Sequence, residues 1–346
     1  MYKFRLICFL ISAIGLTSCN KSYMNLEVLV PAKITLPQHI KKIGIANRSL
    51  PDKENTFLNI LEGFVTGESI FADREASDKC IHGLFDKLNN SPRFQAVLIE
   101  GANLKGTGTR DFPEALNGNR VDELCKQYQV DALILLETFD SNVGLHDNRR
   151  NVVRKDKNGK EYTAVQYNSD LTINASSGWR VYDFTTRQIA DENRYTDQKS
   201  WSSSGNTLSE SRRNLPSKRE AINNAGYFAG QQYAVRISPN WVNENRYYFT
   251  KGHDDFKIAR GYIRAGNWDK AIEIWNKLSL NGDKKIAGRA CHNMAFACEK
   301  KGQLDLAFEW AKKAYQVHGL RSEASYINHL QKRIMDQKKL GEQMGN

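Results

Sequence analysis

The sequence predicts an α+β protein: an N-terminal α/β domain with a mixed sheet and antiparallel hairpins, followed by an all-α helical domain. Three observations carry this reading. Short apolar strands alternate with helical spacing up to residue 136, which argues for a layered α/β sheet. Residues 162–200 alternate apolar with polar side chains, the mark of half-exposed antiparallel strands. Two later segments align 36 residues apart, each a helix, a glycine turn and a second helix.

The chain opens with Lys3 and Arg5, an apolar run from Leu6 to Leu16, and the small residues Thr17 and Ser18. That order is the charged, apolar and small-residue sequence of a secretory leader. The run falls short of the roughly 20 apolar residues that span a bilayer as a helix. Residues 1–18 are therefore expected to be a removable signal peptide. Leu16-Thr17-Ser18-Cys19 resembles the lipobox of bacterial lipoproteins. The resemblance implies cleavage before Cys19, lipidation of its sulfur, and residues 19–36 as a lipidated tether. Asn20 stands where Asp often retains such proteins in the inner membrane, and Asn20-Lys21-Ser22-Tyr23 lacks an acidic export cluster. The expected location is the cell envelope, at the outer membrane facing the periplasm.

No later segment approaches 18 apolar residues, so the mature chain is expected to be soluble. Once Lys3 and Arg5 leave with the leader, 48 basic residues stand against 39 acidic ones, a net charge of +9. An exported basic protein meets anionic headgroups, acidic glycans and acidic partners, and no nucleic acid is expected. Of six cysteines, Cys8 leaves with the leader and Cys19 is the lipidation site; Cys80, Cys125, Cys291 and Cys298 remain. Cys291 and Cys298 sit two helical turns apart, too far to bridge each other. A Cys80–Cys125 bridge stays open.

The α/β domain is expected over 37–250. Lys41–Ala46 reads as a buried strand, and Phe57–Val65 and Ala76–Asn89 as helices. The second helix carries Cys80, Ile81, Leu84, Phe85 and Leu88 on one face. Arg93–Ile99 is a strand, Gly101–Gly108 a loop, Val121–Tyr128 a helix, and Val130–Leu136 a strand apolar on both faces. Tyr162–Ala175 and Trp179–Phe184 read as strands parted at Gly178, with Ile189–Ser200 continuing the pattern. Arg149–Lys160 and Ser202–Ser217 are expected to be loops, the first basic and mobile, and Ser217–Val235 a helix.

The order of strand, helix, Arg93–Val97, helix, Val130–Ile134 and then Arg180–Ala190 resembles the α/β domain of envelope lipoproteins. Curli-secretion lipoproteins and outer-membrane activators of penicillin-binding proteins are examples. Val30–Pro37 and Val235–Trp241 resemble an uncharacterised family of envelope lipoproteins with tetratricopeptide repeats at the C-terminus. That likeness implies architecture and brings no activity.

The helical domain is expected over 251–346. Ile258, Tyr262, Gly266, Ala271 and Trp275 recur in register as Met294, Cys298, Gly302, Ala307 and Ala311, which resembles tetratricopeptide repeats. Gly266 and Gly302 end the first helices, and Ala271 and Ala307 let paired helices approach. Arg321–Lys339, with Ile327, Leu330 and Ile334 on one face, is expected to cap the pair. In such repeats the first helices line a concave face. Register assigns it to Phe256, Arg260, Ile263, Arg264, Arg289, His292, Phe296, Glu299 and Lys300, a basic and aromatic surface suited to an acidic peptide segment.

The sequence holds no phosphate loop, HExxH helix or GxSxG elbow. Gly106-Thr107-Gly108 lacks its third glycine, with Asp111 in that place. His146-Asp147 and His253-Asp254-Asp255 read as turn or helix starts, and Asp131, Asp170 and Asp183 border strands without a catalytic partner. No catalytic residue, metal site or cofactor is assigned. The expected function is a lipid-anchored periplasmic adaptor that binds an envelope protein in envelope assembly or maintenance. The alternatives are an oligomeric secretion component and an envelope enzyme acting on glycan or peptide.

Overall fold

The computed structural model describes residues 20–50, 67–108 and 110–345. The leader, the lipidation site Cys19 and the helix expected at Phe57–Val65 lie outside the described residues. In chain order the sheet elements and their helices are β1 (Lys21–Val30), β2 (Lys42–Asn47), α1 (Gly67–Asn89), β3 (Gln95–Leu98), α2 (Gly118–Tyr128), β4 (Ala132–Lys155) and β5 (Glu161–Asp183). Then come β6 (Ile189–Gly205), α3 (Leu208–Arg213), α4 (Lys218–Ile237) and β7 (Asn240–Phe249). The rest is helical: α5 (Asp254–Arg264), α6 (Trp268–Leu278), α7 (Lys284–Lys300), α8 (Leu304–Gln316) and α9 (Glu323–Met344). The chain is α+β, as predicted, and divides into a sheet unit (29–241 with the stretch from 339) and a helical unit (20–28 with 242–338). No helix among the described residues is long and apolar enough to cross a membrane.

In the sheet unit five strands lie in the order β3-β2-β4-β5-β6. β2 runs parallel to β3 and β4, while β4, β5 and β6 are antiparallel. The parallel part is buried on both faces, which is why Ala132–Leu136 is apolar throughout. Ile43, Ile134, Leu136, Trp179 and Val181 face α1 and α4, and Leu133, Leu135 and Tyr182 face α2. Helices α1 and α4 pack backbone to backbone at glycines. A Cβ on Gly83 would lie 2.0 Å from the Tyr227 oxygen, and one on Gly230 only 1.8 Å from the Cys80 oxygen. Cys80 and Cys125 belong to the two opposite cores, so the bridge left open does not form; all four described thiols are free and buried.

The antiparallel part differs from expectation in three places. β5 is one continuous strand, because Gly178 is there to admit neighbours: a Cβ would stand 2.4 Å from Thr138 Oγ1 and 2.9 Å from the Phe112 ring. Arg149–Lys160 is no loop but the end of a β4–β5 ribbon whose register runs on to Lys155↔Glu161. The turn is closed by Asp156 Oδ1, which accepts from Asn158 N at 2.8 Å and Lys160 N at 2.9 Å. Solvent bathes both faces of this ribbon, so no apolar alternation marked it as strand. Ser202–Ser217 holds the end of β6 and then α3, where Thr207 Oγ1 accepts from Glu210 N at 3.1 Å.

The helical unit begins with a correction. Residues 19–36, expected as a tether, contain strand β1, which pairs with β7 in a two-stranded sheet and buries Leu26 and Val28. The alternation of Leu26, Val28 and Val30 was too short to stand out. Helices α5–α6 and α7–α8 form two hairpins. Gly266 (φ 76°) and Gly302 (φ 75°) end the first helix of each in the left-handed region, which a β-carbon penalises. Ala271 and Ala307 are fully buried. Leu330 of α9 is buried against α7 and α8, with Ile327 and Ile334 beside it. The last turns of α9 count with the sheet unit, where the Gln343 amide brackets the Ala32 backbone at 2.9 and 3.0 Å.

Candidate functional site

The concave face assigned from the repeat register is filled by the chain itself. Phe256, Ile263, His292, Phe296 and Glu299 are buried, Arg260 and Arg289 half-buried, and only Arg264 and Lys300 exposed. The end of β7 lies along α7. Asn293 Oδ1 accepts from Phe249 N at 2.7 Å while its amide donates to Phe249 O at 2.8 Å. His292 Nε2 meets the Tyr247 oxygen at 2.9 Å and its Nδ1 meets Glu323 at 2.9 Å. The Tyr248 ring stacks on Phe296, centroids 5.7 Å apart, and Arg289 donates to Lys251 O at 2.9 Å. Those side chains hold an extended strand of the same chain.

Glu299 anchors this arrangement. Its carboxylate accepts from Arg333 at 2.8 Å, Tyr326 at 2.7 Å and Arg246 Nε at 3.1 Å, with His329 3.6 Å away. Burial alone would raise its pKa, yet His329, Arg246 and Tyr326 together hold it at about 2. Glu244, Glu299 and His329 bring potential ligand atoms within 4.8 Å of one another. Two guanidinia already neutralise that donor set, so it reads as an ion-pair network rather than a metal centre. Lys300 lines a separate hollow of about 510 Å³ with Trp268 and Asp269, where Lys301 pairs with Asp269 at 2.9 Å.

The open polar site is in the sheet unit, on the face that carries α2. There β4, β5 and β6 present side chains in rows set by register: Asp140, Ser176 and Thr196, then Asn142, Asn174 and Gln198. Ser176 and Thr196 hydroxyls meet at 2.9 Å, and Gln198 donates to Asn174 at 3.2 Å. Arg110 reaches over this floor to Asp140 at 2.7 Å, and Arg194 donates to the Arg110 carbonyl. The hollow measures about 380 Å³. The Phe112 ring meets both the Arg180 and the Arg194 guanidinia, at 4.8 and 5.1 Å from its centroid.

Within β4, at the bulge just past the end of its pairing with β2, Glu137 is fully buried. It accepts from Tyr182 at 2.8 Å and Arg48 at 3.0 Å. Burial pushes its pKa up, against the pull of Arg48, Tyr182 and Arg180. This network reaches Arg180, 3.8 Å from Glu137, whose guanidinium lies over the Phe112 ring. The lining offers amide, hydroxyl and guanidinium donors and one carboxylate, with no imidazole or thiol. Such a lining offers hydrogen-bond donors and acceptors to a polar molecule.

Asp131, Asp183 and Asp147, weighed in the sequence, each accept hydrogen bonds within the fold. Asp131 accepts from Lys41 N and Lys42 N at 2.9 and 2.8 Å; Asp183 accepts from His39 at 2.9 Å and Thr185 N at 2.9 Å. His146 and Asp147 lie within β4, not at a turn, and Asp147 accepts from Ser169 at 2.7 Å and from Arg212. At α5 the cap is His253, whose Nδ1 accepts from Asp255 N at 3.2 Å. Arg110, Asp140, Asn174 and Arg194 were missed as a site. For Asp140, Asn174 and Arg194 the signal was a polar series on one side of three strands, which also describes an idle solvent face; Arg110 lies on no strand.

The family model described as Domain of unknown function (DUF8603) matches residues 40–249, more than half of the chain, and the chain belongs to that family. A second model, described as Domain of unknown function (DUF6340), matches residues 257–332 in the helical unit. No curated protein matches the chain.

Proposed function

For this family member we propose a lipid-anchored adaptor of the bacterial envelope, facing the periplasm, that binds a polar segment of another envelope protein at the sheet pocket. The observation that carries the binding reading is the pocket itself: Arg110 and Arg194 overhang a floor of Asn142, Asn174, Ser176 and Thr196. That set suits a ligand rich in carbonyl, hydroxyl and carboxylate oxygens, as an acidic peptide segment is. The leader and the lipobox-like Leu16-Thr17-Ser18-Cys19 support the anchoring half. Acyl chains at about 0.8 kcal/mol per buried CH₂ hold a protein without a spanning helix. The paired helices with αL glycines support a tetratricopeptide-like helical unit, whose own groove is taken by β7. The adaptor surface is accordingly assigned to the sheet unit.

The test is capture from crosslinked native envelopes. Asn142 and Thr196 are exposed, and Asn142→Leu with Thr196→Leu should abolish recovery of a species held by the wild-type chain. Equal recovery removes the pocket from the reading. Mass spectrometry of the mature protein should find Cys19 acylated and amino-terminal; a retained leader would end the anchoring half.

A further inference from the structure

The β4–β5 ribbon outruns its sheet. β6 stops at Gly205, opposite Tyr167, so residues 149–166 form a two-stranded arm with both edges open. Six residue pairs beyond β6, Arg150↔Gln166 to Lys155↔Glu161, make it about 20 Å long. An isolated two-stranded hairpin is marginal in water, and open edges invite pairing, so an arm of this length calls for a surface to rest on. Its composition names the surface. Residues 149–166 carry six basic side chains, Arg149, Arg150, Arg154, Lys155, Lys157 and Lys160, against Asp156 and Glu161. Between them stand exposed apolar side chains: Val153 at 68%, Tyr162 at 49% and Val165 at 43%.

We propose that this arm is a membrane-surface contact that lies on anionic phospholipid headgroups. Cations interleaved with single apolar side chains suit the headgroup layer, where charge attracts and Val153 and Val165, which register puts on the face of Arg149 and Lys155, enter the interface. The arm does not span the bilayer. Direct pairing puts Arg149, Val153 and Lys155 on one face and Arg150 and Arg154 on the other, so neither face is free of charge as a lipid-facing wall must be. The contact is independent of acylation at Cys19 and would act as a second, electrostatic hold.

The test uses the full chain and flotation with two vesicle types, phosphatidylcholine alone and phosphatidylcholine with about a third phosphatidylglycerol. The readout is the ratio of the two affinities, so a leader or acyl chain that binds both alike cancels. Each basic residue near an anionic surface is worth about fivefold. Arg149→Gln with Lys157→Gln and Lys160→Gln should therefore lower the ratio on the order of a hundredfold. The same charge change at the exposed Lys277, Arg321 and Lys332, all to Gln, should lower it less than about threefold. Raising salt should erase the wild-type preference without any substitution. A wild-type ratio near one, or equal losses in the two variants, overturns the proposal; the first outcome would turn attention to an acidic protein as occupant.

Discussion

Glu299→Gln keeps the size of the side chain and an acceptor oxygen but removes the charge that Arg246 and Arg333 face. Two estimates give the size of the effect. A carboxyl held at about 2 against an ordinary 4.5 contributes about 3 kcal/mol of folding free energy at neutral pH by linkage. Removing one partner of a buried pair strands the other, at about 3–5 kcal/mol, and these guanidinia are only 15% and 16% exposed. The expected loss is about 3 kcal/mol, read as faster hydrogen exchange at amides of α7 and α9. The folded pKa is lowered, so the wild-type advantage is complete above the unfolded value near 4.5 and fades as pH falls towards 2. A loss below about 1 kcal/mol at pH 7, or a difference between the proteins unchanged from pH 7 to pH 3, refutes the ion-pair account.

The two glycines Gly230 and Gly261 should respond oppositely to alanine. At Gly230 the new Cβ overlaps the Cys80 oxygen at 1.8 Å, and parting α1 from α4 should cost about 1–3 kcal/mol; at Gly261 nothing lies within 4 Å and the helix should gain about 0.5–1 kcal/mol, both by urea denaturation. Asn293→Ala removes both bonds to the Phe249 backbone and should cost about 2–4 kcal/mol, with exchange protection lost first along β7. Asp73 accepts from Ser141 Oγ at 2.5 Å, and burial is the main cause that raises its pKa to about 6. A raised folded value means its contribution is present below about pH 4 and lost as pH rises through 6, so Asp73→Asn should stabilise at pH 8 and not at pH 4, by thermal unfolding.

How much of this was legible depended on whether a residue's partner lay close in sequence. The hairpins α5–α6 and α7–α8 were plain, because glycine, small and aromatic positions recur at a fixed interval and each marks a local constraint. β2 and the start of β4 were plain too, since burial on both faces leaves an apolar run. The arm was misread because solvent on both sides erases the period-two signal by which a strand is known. β1 was misread because its pairing partner, β7, begins more than 200 residues later. The pocket was hidden for a related reason: Asp140, Ser176 and Thr196 are neighbours only through strand register.

The groove is the most instructive case, because the face assigned to a partner through His292 and its neighbours is occupied by a strand of the same chain. Asn293 offers one donor and one acceptor at the spacing of a backbone amide, and both are met by Phe249. His292 contacts the oxygen of Tyr247, two residues earlier, so side chains on α7 read alternate positions of an extended chain. That is the chemistry of peptide recognition, spent on a strand of the same molecule. A second peptide there would have to displace Tyr247, Tyr248 and Phe249 together with the Arg246 contacts to Glu299. By the estimates above that exchange costs several kcal/mol before any new contact forms. The cis strand therefore acts as part of the core of the helical unit.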